Sequence, residues 1–510
     1  MKKTKKILAV IISLIMIISA VPFCSYASDA QASWYSASDE KQGEGTFAQA
    51  VENVPAGGTV LIRQDISLSE AISVSKSFTI KSGSKGPFTI SRASSYMGSL
   101  ISISSGTVIL TDITLTGGNK AECKALVTVG GGSLVLNSGA VLTSNDGASG
   151  GAVNLTGSTS STAALLVNDG ASITNCTSTL GGAVFAGQYS VVNINGGTIS
   201  NNTTTSTAHL SGAIHADSQN ARISIKGGTI ENNTNTNSDS QAASVLYLGS
   251  TATAAITGGE ITNNTGSCAV AYSKADSLTL GGYAYIYENK TSSGTESDVY
   301  LPVTTDSDGN NTVSTILYSP EFKSEAKVGI RTSKDLSGVV KFIGRGTSDT
   351  DISTVAGHIY YNNIDSAVFV SPSGKIFFEK TCVIKLDANG GNLPDGYSDT
   401  IVAVQGSSIS NALKTDKNGS TGLPVPTKSN SKFVKWVDED GNTVTSGTVC
   451  PSKSEMTLTA QWLDSGSGSA SVFGKILETI GRIIKYVTEF LQNLFNGTGN
   501  DALKDIKTTG

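Results

Sequence analysis

The chain has 510 residues, enough for more than one domain with its own core; only 15% are charged and the formal net charge is −5. No block of Lys and Arg interleaves with aromatics, so the charge pattern excludes a nucleic-acid footprint and no nucleic-acid partner is expected. Gly reaches 56 residues and Ser, Thr and Asn crowd the middle, yet alternating runs such as SVVNIN and ARISIK carry the period of half-buried strands, which excludes a disordered polar tract.

The N-terminus carries Lys2, Lys3, Lys5 and Lys6, then an apolar run from Ile7 to Val21, then small residues at Ser25 and Ala27. That is the layout of a secretory signal peptide over residues 1–27, cut after Ala27. The run is short for a membrane span, and Phe23 stands before Cys24 where a lipoprotein signal needs a small residue. The mature protein is therefore expected to be extracellular, secreted or associated with the cell surface. Past the signal lie Cys123, Cys176, Cys268, Cys382 and Cys450, an odd, scattered set that is no disulfide scaffold. Cys382 with Cys450 is the one pair that an oxidising compartment could bridge.

Residues 44–298 are dominated by one phrase: GGTISNNT from Gly196, GGTIENNT from Gly227 and GGEITNNT from Gly258, at a step of 31 residues. Weaker copies are SGAVLTSN from Ser138, DGASITNC from Asp169 and GGYAYIYEN from Gly281. Their second residues, Gly139, Gly170, Gly197, Gly228, Gly259 and Gly282, are 31, 27, 31, 31 and 23 apart, the signature of solenoid coils with connections of different length. Each unit holds three short strands and no helical pattern, so each strand can pair only with its equivalent one coil away, in parallel and in register. The fold class is all-β: a right-handed parallel β-helix.

Coils stacked about 4.8 Å apart turn the end of each phrase into a column, Asn145, Cys176, Asn202, Asn233, Asn264 and Asn289. Asn suits it because its amide both donates and accepts and because it tolerates a left-handed turn. Cys176 interrupts as a small, buried thiol, and the glycine pair supplies the other bend. Reading NNT as a glycosylation acceptor at Asn201, Asn232 and Asn263 explains less, since a column accounts for all the copies together.

The GGxIxNNT phrase, with LTDITLTGG from Leu110, resembles the pectate-lyase-like β-helices of bacterial surface proteins with adhesin-like or polymorphic-outer-membrane-like repeats. TFAQAVENVPAGGTVLIRQDIS from Thr46 is similar to the first coils and N-terminal cap of that class. The resemblance spans Thr46 to Asp298 and implies a cell-surface β-helix; it says little about activity.

After each Asn turn the coils align GAVNL, GAVFA, GAIHA, SVLYL and CAVAY. Alternation turns Val153, Val184, Ile214, Leu246 and Val270 inward and Asn154, Phe185, His215 and Tyr247 outward. That outward column is the candidate ligand-binding face, with aromatics beside an amide as glycan stacking requires, unless a loop from a long coil covers it. Catalysis is not expected. Lyases and hydrolases of this fold need clustered carboxylates, whereas Asp146, Asp169, Glu231 and Glu260 stand in different columns and Arg222 is the one Arg among these coils. No catalytic residue, metal or cofactor is assigned. Three readings remain: an adhesin-like binder of glycans or of host or bacterial surface proteins, a divergent polysaccharide lyase or glycoside hydrolase, and a passive spacer.

Residues 299–380 lose the period but keep strand-like runs, STILYS, KVGIRT and AVFVS, and read as irregular last coils and a C-terminal cap. DSDGNN at Asp306 to Asn311 reads as a hairpin turn, since no Glu follows to complete a calcium loop. Over residues 381–463, CVIKLDANGG, FVKWVDEDGN and LTAQW resemble the internalin-type B repeat, a small β-grasp module. The match falls on Asp387, Ala388, Asn389, Gly390, Gly391, Phe433, Trp436, Ala460, Gln461 and Trp462, with Lys435 where the family often has Gly. Phe433, Trp436 and Trp462 are expected as core anchors.

Residues 464–471 form a Gly/Ser linker, 472–496 an amphipathic helix and 497–510 a tail expected to be disordered. Phe473, Ile476, Ile480, Ile483, Val487, Phe490 and Leu494 recur at alternating steps of 3 and 4, one apolar seam on a helix. Such a seam pairs with itself or a partner, lies on a membrane surface, or docks back on its own chain.

Overall fold

In the computed structural model the described residues are 30–119, 121–206, 210–305, 311–332, 342–346, 355, 357–362, 366–370, 376–395, 397–412, 422–464, 476 and 479–488. They fall into two compact units, Met1–Glu379 and Lys380–Gly510. The signal segment, the linker beyond Asp464 and the seam positions Phe473, Phe490 and Leu494 lie outside the described residues.

The first unit is a parallel β-solenoid with three strand positions per coil. One position precedes the glycine pair, as in Arg222–Ile225; a second lies between the glycine pair and the Asn turn, as in Thr229–Glu231; a third follows the Asn turn, as in Ala243–Leu248. Every successive pairing between coils from Thr107–Thr111 to Leu278–Gly282 is parallel. Register makes the core: Val108, Leu134, Leu165, Val192, Ile223, Ala254 and Leu278 stack one above another and all are buried. A one-residue slip would turn that whole apolar column to solvent, so burial fixes the pairing. Connections of different length are absorbed at the turn after the Asn column, where a short extra sheet forms from Asp146–Ser149, Thr177–Leu180, Thr203–Thr204 and Thr234–Asn235.

The N-terminal end is closed by the helix Phe47–Asn53, whose Thr46 Oγ1 accepts from Gln49 N while Gln49 Oε1 accepts from Thr46 N, a capping box. Phe47, Ala50 and Val51 seal the end of the core. Ala32–Tyr35 covers the otherwise open edge of Thr59–Ile62 by antiparallel pairing, so the cap starts ahead of residue 44. Toward the other end, Val299–Leu301, Ile316–Phe322, Lys327–Thr332 and Ile359–Tyr361 continue the parallel stack although the phrase has gone. The strands flanking residues 306–310, Val303–Thr305 and Asn311–Val313, pair antiparallel as a hairpin requires.

The second unit is a mixed sheet. Thr381 to Asp387 of the strand Ile376–Asp387 pairs antiparallel with Thr400–Val404 and parallel with Glu455–Asp464, which pairs antiparallel with Ser431–Val437. Trp436 is buried and donates through Nε1 to Pro424 O at 2.8 Å; Trp462 is partly buried and donates through Nε1 to Ala388 O at 3.0 Å. The Phe433 ring lies 5.7 Å from the one and 5.9 Å from the other. Asn389 and Gly390, at φ 48° and 79°, make DANGG a tight turn, with Asp387 Oδ1 accepting from Asn389 N. Cys382 and Cys450, the bridgeable pair of the sequence, are both buried in the core of this unit. In the helical stretch 479–488, Ile480, Ile483 and Val487 are about half exposed, as is Ile476, so no described part of the chain covers this seam.

Candidate ligand-binding faces of the coils

The phrase that repeats in the sequence becomes a continuous hydrogen-bonded column. Asn202 donates from N and Nδ2 to Asn233 Oδ1, Asn233 does the same to Asn264 Oδ1, and Asn264 to Asn289 Oδ1, all between 2.8 and 3.1 Å. Cys176 N joins through Asn202 Oδ1, and Asn289 ends on the carboxylate of Asp298, which accepts at 3.0 and 2.7 Å. At the other end Asn145 stands apart from this run: its Oδ1 accepts from Arg92 Nη1, and no amide side chain at Cys176 continues the chain. All the column Asn residues and Asp298 are buried. Burial raises the Asp298 carboxyl from the ordinary 3.8 to about 6, with the bonds from Asn289 and Asn362 pulling the other way.

The left-handed residue of each turn is not the column Asn but the one before it: Ser144, Asn175, Asn201, Asn232, Asn263 and Glu288 have φ between 55° and 64°. The first Asn of NNT therefore makes the bend and the second makes the bonds. A second ladder runs on the outside, with Asn168 Nδ2 donating to Asn137 Oδ1 at 2.8 Å and Asn195 Nδ2 to Asn168 Oδ1 at 3.2 Å. Its signal was present in the sequence, since each of these Asn residues directly precedes a phrase.

Asn154, Phe185, His215 and Tyr247 are consecutive register partners. The rings stack at coil spacing: Phe185 on His215 at 5.4 Å and 11°, His215 on Tyr247 at 5.7 Å and 19°. Their exposure departs from the expected open face. His215 and Tyr247 are each only 6% exposed, and Asn154 and Phe185 are half-buried. The cause lies in the long connections. Asn235 Nδ2 ties Ser211 O to Ala243 O, Leu210 packs against the cluster that holds Tyr247 and Tyr300, and Tyr300 Oη donates to Ser240 Oγ, so a second layer lies over this part of the face. Only the Asn154 and Phe185 end remains accessible.

No protein family, curated protein or solved structure matches this chain.

On the strand position between the glycine pair and the Asn turn, Glu231 pairs with Ser200 and Thr262, and Glu260 with Thr229 and Tyr285. The two carboxylates are thus diagonal neighbours on one outward face, with Glu260 exposed and Glu231 half-buried. Asp146 faces Thr177 in the short sheet elsewhere. Among the described residues no group of three His, Cys, Asp or Glu side chains is placed to hold a metal ion. The weaker copy of the phrase from Gly281 adds a run of outward tyrosines at the later coils, Tyr283, Tyr285 and Tyr287.

Proposed function

We propose that the chain is an exported, adhesin-like binding protein of the pectate-lyase-like β-helix class that engages glycans or surface partners through the outside of its coils and is not an enzyme. The observation that carries this reading is the register. It stacks outward side chains into rigid columns, aromatic and amide in one place and tyrosine in another, while leaving Asp146, Glu231 and Glu260 each opposite a neutral residue. A stiff column fixed by backbone pairing loses little conformational freedom on binding, which favours recognition of a repeating polymer. The second unit supports a β-grasp, B-repeat-like accessory module by its parallel pairing of first and last strands and its Trp anchors. The exposed seam of Ile480, Ile483 and Val487 supports self-association or contact with a partner or membrane surface.

A glycan array probed with the chain tests the reading, with retention on a defined subset expected and a blank array contradicting it. A second reading has one observation in its favour: Glu231 and Glu260 are diagonal neighbours on one outward face, close enough for their carboxyl groups to flank one sugar unit. Release of reducing sugars from a polysaccharide panel, abolished by Glu231→Gln, would establish it.

A further inference from the structure

At the end of the repeats the turn and short strand of YAYIY sort its residues into two sets. Ala284 and Ile286 are buried in the core, and Tyr283, Tyr285 and Tyr287 point out. Tyr360 arrives on the same face from a later coil, through the pairing of Ile359–Tyr361 with Lys327–Thr332. The tyrosine rings do not collapse into a flat stack. Tyr287 meets Tyr285 edge-on at 6.5 Å and 67°, and Tyr360 at 5.8 Å and 69°. Lys327 Nζ sits 3.2 Å from the Tyr287 ring centroid and 5.5 Å from that of Tyr360, pinning both. Tyr283 stays 55% exposed and Tyr360 42%, among the few large side chains the solenoid leaves in water. Tyr285, Tyr287 and Tyr360 thus form one ring cluster, with the exposed Tyr283 two residues before it in the chain.

The charges around the cradle define what it accepts. Glu260 is the register partner of Tyr285; burial pushes the phenols of Tyr285 and Tyr287 upward, and the nearby Glu288 and Glu260, or Glu296 and Glu288, add to it. Lys327, the ammonium that faces the rings, is already held over two of them. An anionic polymer such as a polyuronate would meet repulsion. An uncharged sugar chain would lay its C–H faces on the open tyrosine rings and donate its hydroxyls to Glu260 and Glu288.

We infer that Tyr283, Tyr285 and Tyr360, buttressed by Tyr287 and Lys327, form a binding site for an uncharged polysaccharide. The site rests on the glycan-binding reading above and gives it a place and a ligand class. It is separate from the Phe185 column, on a different strand position of the coils.

Affinity electrophoresis of the full chain in xylan, mixed-linkage β-glucan and galactomannan, with polygalacturonate as the charged comparison, tests it. Retardation in at least one neutral polymer is expected, weakened tenfold or more by Tyr283→Ala with Tyr360→Ala. Because Tyr283 is largely exposed, Tyr283→Ala alone should melt with the wild type and still weaken retardation severalfold, separating binding from folding. Retardation undiminished in the tyrosine variants overturns this site and leaves glycan binding standing elsewhere on the chain. Preferential retardation by polygalacturonate overturns the charge argument. Free migration in all four polymers overturns the site and the glycan-binding reading together.

Discussion

Replacing Asn233 with Ala removes one rung from the middle of the buried column, and the structure sets the cost. Asn233 Oδ1 accepts from Asn202 N and Nδ2, both at 3.0 Å, while its Nδ2 donates to Ile199 O at 2.9 Å, Glu231 O at 3.1 Å and Asn264 Oδ1 at 3.0 Å. In the variant the Asn202 amide and the Ile199 carbonyl lose these partners in a place with no solvent access. Two buried groups left short at roughly 1–3 kcal/mol each give a loss of about 4 kcal/mol. Asn201→Ala is the matched comparison: it sits one residue away at φ 57° but is exposed, and it costs only left-handed backbone strain, about 1 kcal/mol. Urea unfolding followed by circular dichroism separates the two. A double-mutant cycle with Asn264→Ala should show coupling, because the two rungs share a bond. Equal costs for Asn233→Ala and Asn201→Ala would refute the ladder as a source of stability.

Three further outcomes follow from the same geometry. Asp298 has a folded carboxyl value raised to about 6, so its protonated form is favoured by folding. That contribution is complete below about 3.8 and is lost as pH rises through about 6, a difference of about 3 kcal/mol, and Asp298→Asn should flatten stability against pH in that window. Gly228→Ala places a Cβ 2.7 Å from the Gly196 backbone at φ 82°, and should destabilise the coils by about 2 kcal/mol or more in the same urea assay. Burial pushes the thiols of Cys176 and Cys382 up to about 12 and raises that of Cys268 as well; iodoacetamide at pH 8 should therefore spare them in the folded chain and modify them in urea, as read by mass spectrometry.

The inner column was legible because one phrase recurs with its Asn at a fixed offset, and parallel pairing turns fixed offset into vertical contact. Which Asn of the pair takes the bend was not legible, since both residues are alike in sequence and only φ distinguishes Asn201 from Asn202. The outward alternation of Phe185, His215 and Tyr247 followed from period 2, but the cover over Tyr247 comes from Leu210 and Ser240, which lie in connections whose packing no local pattern encodes. Ala32–Tyr35 was missed as part of the cap because its partner, Thr59–Ile62, is reached only by an antiparallel return of the chain. The tyrosine cradle was half legible: YAYIY announces one exposed face, while the arrival of Tyr360 and Lys327 beside it depends on coils that no longer carry the phrase.

The stacking of coils can be tested by oxidative cross-linking. Thr198, Thr229 and Glu260 are successive register partners on an outward face, so Thr198→Cys with Thr229→Cys stands at about 4.8 Å between Cα atoms, within disulfide reach, and Thr198→Cys with Glu260→Cys at about twice that, beyond it. The account predicts rapid bridging of the first pair in the folded chain and none of the second, read by mass after alkylation. Bridging of both pairs alike, or of the second pair alone, would contradict it.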